Sequence, residues 1–171
     1  ILLTTNDAYH YATSAKLAVD GQIHNNSQLI HNSLFGENGA IVASAWLASK
    51  LTSFSMETIT LYLPIILPSL TGILVLLIGH LLGFSAMGLV AGLITVSSNI
   101  FLVRTRAGYF DTDLLTLIIP LVLIYLLLRV IKTNNFKNAL VASLLLTTQT
   151  FFYNNAPLLS EVIIITFIVF T

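Results

Sequence analysis

Polar and apolar positions segregate along this chain instead of alternating. No Asp, Glu, Lys or Arg lies between Glu57 and Arg104. From Glu57 onward, apolar runs at about 57–79, 85–103, 113–131, 138–153 and 158–171 approach the roughly 20 residues that cross a bilayer, the last two being shorter. Pro64, Pro68 and Pro120 sit inside such runs, which membrane helices tolerate better than soluble ones. Residues 1–56 are different, carrying Asp7, Lys16, Asp20, Glu37 and Lys50, three of the four histidines and many Asn, Ser and Thr. Within them, 8–20 and 39–51 read as amphipathic helices, the first opened by Asn6-Asp7 as a cap and closed near Gly21. The pattern predicts an all-α, polytopic transmembrane helix bundle over 57–171, of about five helices. A partly helical loop domain, 1–56, would lie on the membrane surface. No internal repeat or low-complexity tract interrupts it.

Composition narrows the function classes. Of 171 residues, 56% are hydrophobic and 8% charged, against about 25% charged in an ordinary soluble domain. Seven Lys plus Arg balance seven Asp plus Glu, so no basic field exists to hold a nucleic-acid backbone. The absence of cysteine removes disulfide frameworks, thiolate zinc sites and iron–sulfur clusters. The sequence begins at Ile1, lacks the basic start of a signal peptide and ends at Thr171 within an apolar run, and is read as a fragment of a larger protein. Arg129, Lys132 and Lys137 surround the turn Thr133-Asn134-Asn135, which assigns that turn to the cytoplasm. Counting spans backward puts 80–84 inside as well. Residues 1–56, the segment 104–112 and the turn near Asn154 to Pro157 then fall outside, leaving Arg104 and Arg106 on the face where basic residues are disfavoured.

That outer segment holds most of the candidate chemistry. Arg104-Thr105-Arg106-Ala107-Gly108-Tyr109-Phe110-Asp111-Thr112-Asp113 places two cations and two carboxylates between apolar spans. In one reading Asp111 and Asp113 cap the third span and complement its dipole, while the arginines snorkel from the second. In the other, two acids at i and i+2 at a helix start share a hard divalent cation, which needs a third acid from elsewhere. Asp7, within Thr4-Thr5-Asn6-Asp7-Ala8-Tyr9 on the same face, is either a further cap or that third acid. His10, His24 and His31 lack the i, i+4 spacing of a helical metal pair and read as solvated or structural; His80 reads as an interfacial anchor. Asn25-Asn26-Ser27 is formally a glycosylation sequon. Tyr109, Phe110, Phe151, Phe152 and Tyr153 fall where an aromatic belt is expected.

Taken together, Thr5-Asn6-Asp7-Ala8-Tyr9, Arg104 and Gly108-Tyr109-Phe110-Asp111-Thr112-Asp113, about 100 residues apart with two spans between them, resemble the catalytic subunit of bacterial N-oligosaccharyltransferase. The resemblance runs across essentially the whole chain, including Phe151-Phe152-Tyr153. It implies a multi-pass enzyme of the GT-C glycosyltransferase type in the bacterial inner membrane, its site facing the periplasm. Such an enzyme moves an oligosaccharide from a polyprenyl-diphosphate carrier to the side-chain amide of Asn in an acceptor polypeptide carrying a sequon. It further implies that Asp7 touches metal and acceptor amide, that Asp111 and Asp113 hold Mn²⁺ or Mg²⁺, and that Arg104 orients them. The family's later outer glutamate and Trp-Trp-Asp signature are not among these residues; Trp46 stands in no such context. On this reading the fragment alone is inactive.

Two other classes compete. A polyprenyl-phosphate-sugar glycosyltransferase resembling protein O-mannosyltransferases would share an acidic first loop, but paired Asp111 and Asp113 with upstream Arg104 favour the first reading. A transporter segment would be expected to carry an intramembrane charge relay, and 58–103 holds no Asp, Glu, Lys or Arg.

Overall fold

The computed structural model describes residues 3–22 and 38–170. His24, His31, Glu37 and the Asn25-Asn26-Ser27 tripeptide lie outside the described residues. Among those described, the regular secondary structure is entirely helical.

Helix α1 spans Asn6–Val19. Its cap is Thr5 rather than the expected Asn6-Asp7: Thr5 is extended and its Oγ1 accepts from the Ala8 N–H at 3.0 Å. Asp7 falls instead in the first turn, where a carboxylate favours the positive helix end. Gly21, at φ +71°, takes the chain out of the helix. Helix α2, Gly39–Leu51, starts behind Asn38, a non-glycine residue held left-handed at φ 57°. The two helices pack small against large. Ala8, Ala15 and Ala18 of α1 meet Ile41, Val42 and Ala45 of α2, and Phe110 and Leu114 complete the same cluster. Helices α1 and α2 are therefore built onto the segment that carries the paired aspartates.

Five apolar stretches follow, but hydropathy overstates their continuity. Helix α3, Met56–Leu81, runs unbroken for 26 residues, with Pro64 and Pro68 inside it. The second stretch, expected as one run over 85–103, divides into α4, Ser85–Ser97, and α5, Asn99–Arg104. Ser98 at ψ 142° makes the break, and its Oγ accepts from the Phe101 N–H at 3.4 Å. The third comprises α6, Asp113–Thr116, and α7, Ile118–Thr133, so Pro120 falls in a first turn, where it costs no interior hydrogen bond. The fourth divides into α8, Phe136–Thr147, and α9, Gln149–Phe152; the fifth is α10, Ala156–Phe170. Met56–Leu81 and Asp113–Thr133 are long and apolar enough to cross a membrane. Their outward faces carry Ile65, Ile66, Ile73 and Leu117 to the surface, as a bundle solvated by lipid requires.

The α3–α4 pair is held by close backbone approach. A Cβ at Gly79 would lie 2.5 Å from the Gly88 Cα, and one at Gly92 would lie 2.7 Å from the Gly72 carbonyl oxygen. Lipid gives helices no hydrophobic reason to associate, so van der Waals contact between bare backbones supplies the attraction. Lys132 on α7 donates to the Leu81 carbonyl at 2.6 Å, tying the ends of α3 and α7 on one side of the bundle. At the other end, Asn38 donates from its backbone to the Thr150 carbonyl at 3.1 Å and accepts from the Asn154 N–H at 2.9 Å. That end also holds the paired aspartates.

Candidate active site

The site begins with a turn that needs glycine. After α5 the chain reverses through Gly108, at φ +78°, a conformation that costs residues with a Cβ. The Gly108 N–H donates to the Leu61 carbonyl on α3 at 3.0 Å. Its own carbonyl accepts from the Thr4 N–H at 3.2 Å and the Thr4 Oγ1 at 3.3 Å. One residue thus joins α3, the reversal before the paired aspartates and the segment leading into α1. Thr5-Asn6-Asp7 and Asp111-Thr112-Asp113, distant in sequence, are brought to the same end of the bundle by this junction.

Asp113 and Asp111 are held differently. The Asp113 Oδ2 accepts from Arg104 Nη1 at 2.6 Å and from the Tyr109 hydroxyl at 3.2 Å, and Arg104 also donates to that hydroxyl at 3.0 Å. This closed triangle fixes the carboxylate's direction, although the exposed guanidinium makes the ion pair a weak source of stability. Asp111 is nearly buried, and its Oδ1 accepts from the N–H of Thr112 at 2.6 Å and the Thr112 hydroxyl at 3.2 Å. Burial pushes the Asp111 carboxyl above the usual range; the negative charges of Asp113 and Asp7 push the same way, against the hydrogen bonds from Thr112. Tyr11 on α1 also feels these charges: its phenol is raised first by burial and next by Asp111, while a hydrogen bond with the Thr112 side chain acts in the opposite sense.

The capping expectation for the pair is corrected in detail. Thr112 precedes α6 and makes no side-chain cap bond, and Asp111 binds the next N–H rather than one inside the helix. The aromatic-belt expectation is also corrected at two positions. Phe110 is fully buried in the cluster with α1 and α2, and Tyr109, also buried, spends its hydroxyl on Asp113. Tyr11 was not singled out in the sequence, and Thr4 and Gly108 stood there only as members of the two motifs; the left-handed turn at Gly108 and its bond from Thr4 come from the fold. The Gly-Tyr-Phe spacing before two acids was the one signal that could have suggested the turn.

For a divalent ion, the donor chemistry fits: Asp7, Asp111 and Asp113 offer hard carboxylate oxygens, and their mutual repulsion at Asp111 is what a cation would relieve. As the side chains stand, no group of three His, Cys, Asp or Glu among the described residues is arranged to hold one ion. Arg104 occupies one oxygen of Asp113 and Thr112 one of Asp111.

Residues 38–171 match the family model described as oligosaccharyl transferase STT3, N-terminal. The chain belongs to this family. Two proteins from strains of Campylobacter jejuni, each named undecaprenyl-diphosphooligosaccharide–protein glycotransferase, are 29% identical over all 171 residues. The chain spans 23% of the length of each of these relatives. With this membership and its apolar helices, it is a helical membrane segment of an STT3-type protein.

Proposed function

We propose that the chain forms part of a membrane enzyme that transfers an oligosaccharide from a polyprenyl-diphosphate carrier to the side-chain amide of Asn in an acceptor protein. The observation that carries this reading is the Thr4–Gly108 junction, which seats the first-loop acid and the paired acids at one end of the bundle. The relatives' printed names, which specify an undecaprenyl-diphosphooligosaccharide donor and a protein acceptor, support the donor and acceptor classes. The basic turn at Arg129, Lys132 and Lys137 supports an orientation with the acids outside, hence facing the periplasm of a bacterial inner membrane.

An amide nitrogen is a poor nucleophile because its lone pair is delocalised into the carbonyl. Asp7, exposed in the first turn of α1, can accept from an acceptor N–H and hold the nitrogen near the anomeric carbon. Asp111 and Asp113 would hold Mn²⁺ or Mg²⁺, which when bound supplies positive charge to the departing diphosphate. Arg104 and Tyr109 keep Asp113 in a fixed direction, so its orientation need not be acquired during turnover.

The test uses the full-length parent in proteoliposomes with lipid-linked donor, a sequon peptide and limiting Mn²⁺. Asp111→Asn keeps the shape and hydrogen-bonding reach of the side chain but gives up its charge. Glycopeptide formation should fall about 100-fold, partly recoverable with excess metal. A wild-type rate at limiting metal would refute the assignment.

A further inference from the structure

The end of the bundle remote from the paired aspartates carries charge of one sign. Arg129 and Lys132 stand in the last two turns of α7. Lys137 follows across the turn at Asn134, which is left-handed at φ 46° and returns α8 alongside α7. Lys132 reaches the last turn of α3, donating to the Leu81 carbonyl at 2.6 Å, so the ends of α3 and α7 share one surface with these cations. The ion pairs among the described residues, Lys16 with Glu57 and Arg104 with Asp113, lie at the other end. None of the described carboxylates pairs with Arg129, Lys132 or Lys137. His80, on α3, is engaged with the Ser85 hydroxyl at 2.9 Å.

Topology alone gives a basic end, and Arg129 and Lys132 also complement the negative end of α7. Lys137 does not fit that account. It is exposed in the first turn of α8, where the helix dipole is positive and a cation is disfavoured. The Asn135 cap accepts from the Lys137 N–H at 2.9 Å but brings no negative charge. Arg129 is half-buried with its guanidinium 5.8 Å from the centre of the Tyr125 ring, and an aromatic face offsets only part of a full charge. The same turns also bring apolar side chains to the surface: Leu82, Phe84, Ile131 and Phe136 are all exposed, Phe136 by 77%.

We propose that this end binds the phosphate of an anionic phospholipid between the close of α7 and the start of α8, its acyl chains lying against Ile131 and Phe136. Charge selects an anion, and the apolar residues select its source. A free phosphate or an acidic peptide satisfies the cations but leaves Ile131 and Phe136 in water. A zwitterionic lipid covers the apolar residues but brings its own cation to a surface already rich in them. An anionic phospholipid answers both. The site lies at the opposite end of the bundle from Asp7, Asp111 and Asp113, so it is separate from the function proposed above.

The experiment places the full-length protein in phosphatidylcholine nanodiscs and measures saturable labelling by phosphatidylglycerol with a diazirine in its acyl chain. Phosphatidylcholine with the same photoactive chain is the comparison. Phosphatidylglycerol should label the peptides containing Ile131 and Phe136 with an affinity about twentyfold higher, since each of the two unspent cations, Arg129 and Lys137, contributes about fivefold at a membrane surface. Lys137→Gln should weaken that binding about fivefold, and Lys137→Arg should preserve it. Lys50→Gln, on α2, should leave it unchanged. Equal labelling by the two lipids, labelling confined to other peptides, or full competition by glycerol 3-phosphate or a glutamate-rich peptide overturns the proposal. So does unchanged affinity in Lys137→Gln. The two lipids are compared on the unmodified protein, so the outcome is decided even if a variant fails to fold. Because the readout is lipid retention, its failure leaves the glycosyl-transfer reading standing.

Discussion

The α3–α4 pair and the Thr4–Gly108 junction both depend on glycine, for opposite reasons. In the helix pair, Gly72, Gly79, Gly88 and Gly92 are ordinary helical residues whose missing Cβ lets two backbones touch. At the junction, Gly108 supplies a left-handed backbone, and the contacts it makes are hydrogen bonds to Leu61 and Thr4. The first joins neighbours in sequence through a turn at 82–84, where His80 Nδ1 and the Ser85 hydroxyl lie 2.9 Å apart, and along the helices beyond that turn it relies on shape. The second joins Thr4 to Gly108, 104 residues apart, through two hydrogen bonds at the end of the bundle, with a third from Gly108 to Leu61. Packing holds what lies in lipid, and directional bonds position what must do chemistry.

The strongest way to break this contrast is Gly79→Val. Its added atoms would meet the Gly88 backbone, which cannot retreat as a flexible side chain could, so unfolding in mixed micelles should show a loss of about 3 kcal/mol. Molecules that stay folded should retain near-normal turnover, because the change is remote from Gly108.

Gly108→Ala should do the reverse. Forcing a Cβ into the left-handed region costs about 1–2 kcal/mol, a smaller stability loss in the same assay, yet turnover should fall further than in Gly79→Val. Equal ratios of activity to stability in the two variants would erase the distinction.

Arg104→Lys sharpens the polar side of the comparison. An ammonium cannot reproduce the planar guanidinium that meets both Asp113 and Tyr109, so turnover should drop about tenfold with the unfolding midpoint unchanged.

The smallest effect concerns Asp111. Its folded pKa is raised, mainly by burial, so the fold favours the protonated acid. That contribution is complete below the unfolded carboxylate pKa and is lost as pH rises through the folded value. In metal-free buffer, the midpoint should therefore decline gently from acid pH across that window in the wild type. Asp111→Asn should lack this decline, which a pH series of thermal melts would reveal.

Much of this architecture was legible in the sequence because lipid imposes a strong pattern. Absence of charge from 58 to 103 located the early spans, and the amphipathic repeats located α1 and α2 to within about two residues. Asp7, Asp111, Asp113 and Arg104 were singled out from their motifs, and the fold adds to this that Arg104 meets Asp113 at 2.6 Å. The breaks at Ser98, Leu117 and Thr148 were not, since hydropathy records the solvent around a segment rather than the hydrogen-bond ladder within it. The cap fell to Thr5 because Asn6 and Asp7 were taken into the first turn, a choice made by the Thr4 contact with a residue far away in sequence. Tyr109 looked like a belt residue because its partner, Asp113, comes near only after the chain reverses at Gly108.

Asn38 has a consequence for how proteins of this kind can diverge. Its backbone and side chain fasten the start of α2 to Thr150 and Asn154, while Thr4 fastens the approach to α1 independently. Each helix start is therefore held by its own distant contacts, and loss of the Asn38 side chain removes only the bond to Asn154. The approach to α1 would stay fastened to Gly108, so α2 can drift in descendants while Asp7 keeps its place beside the paired acids.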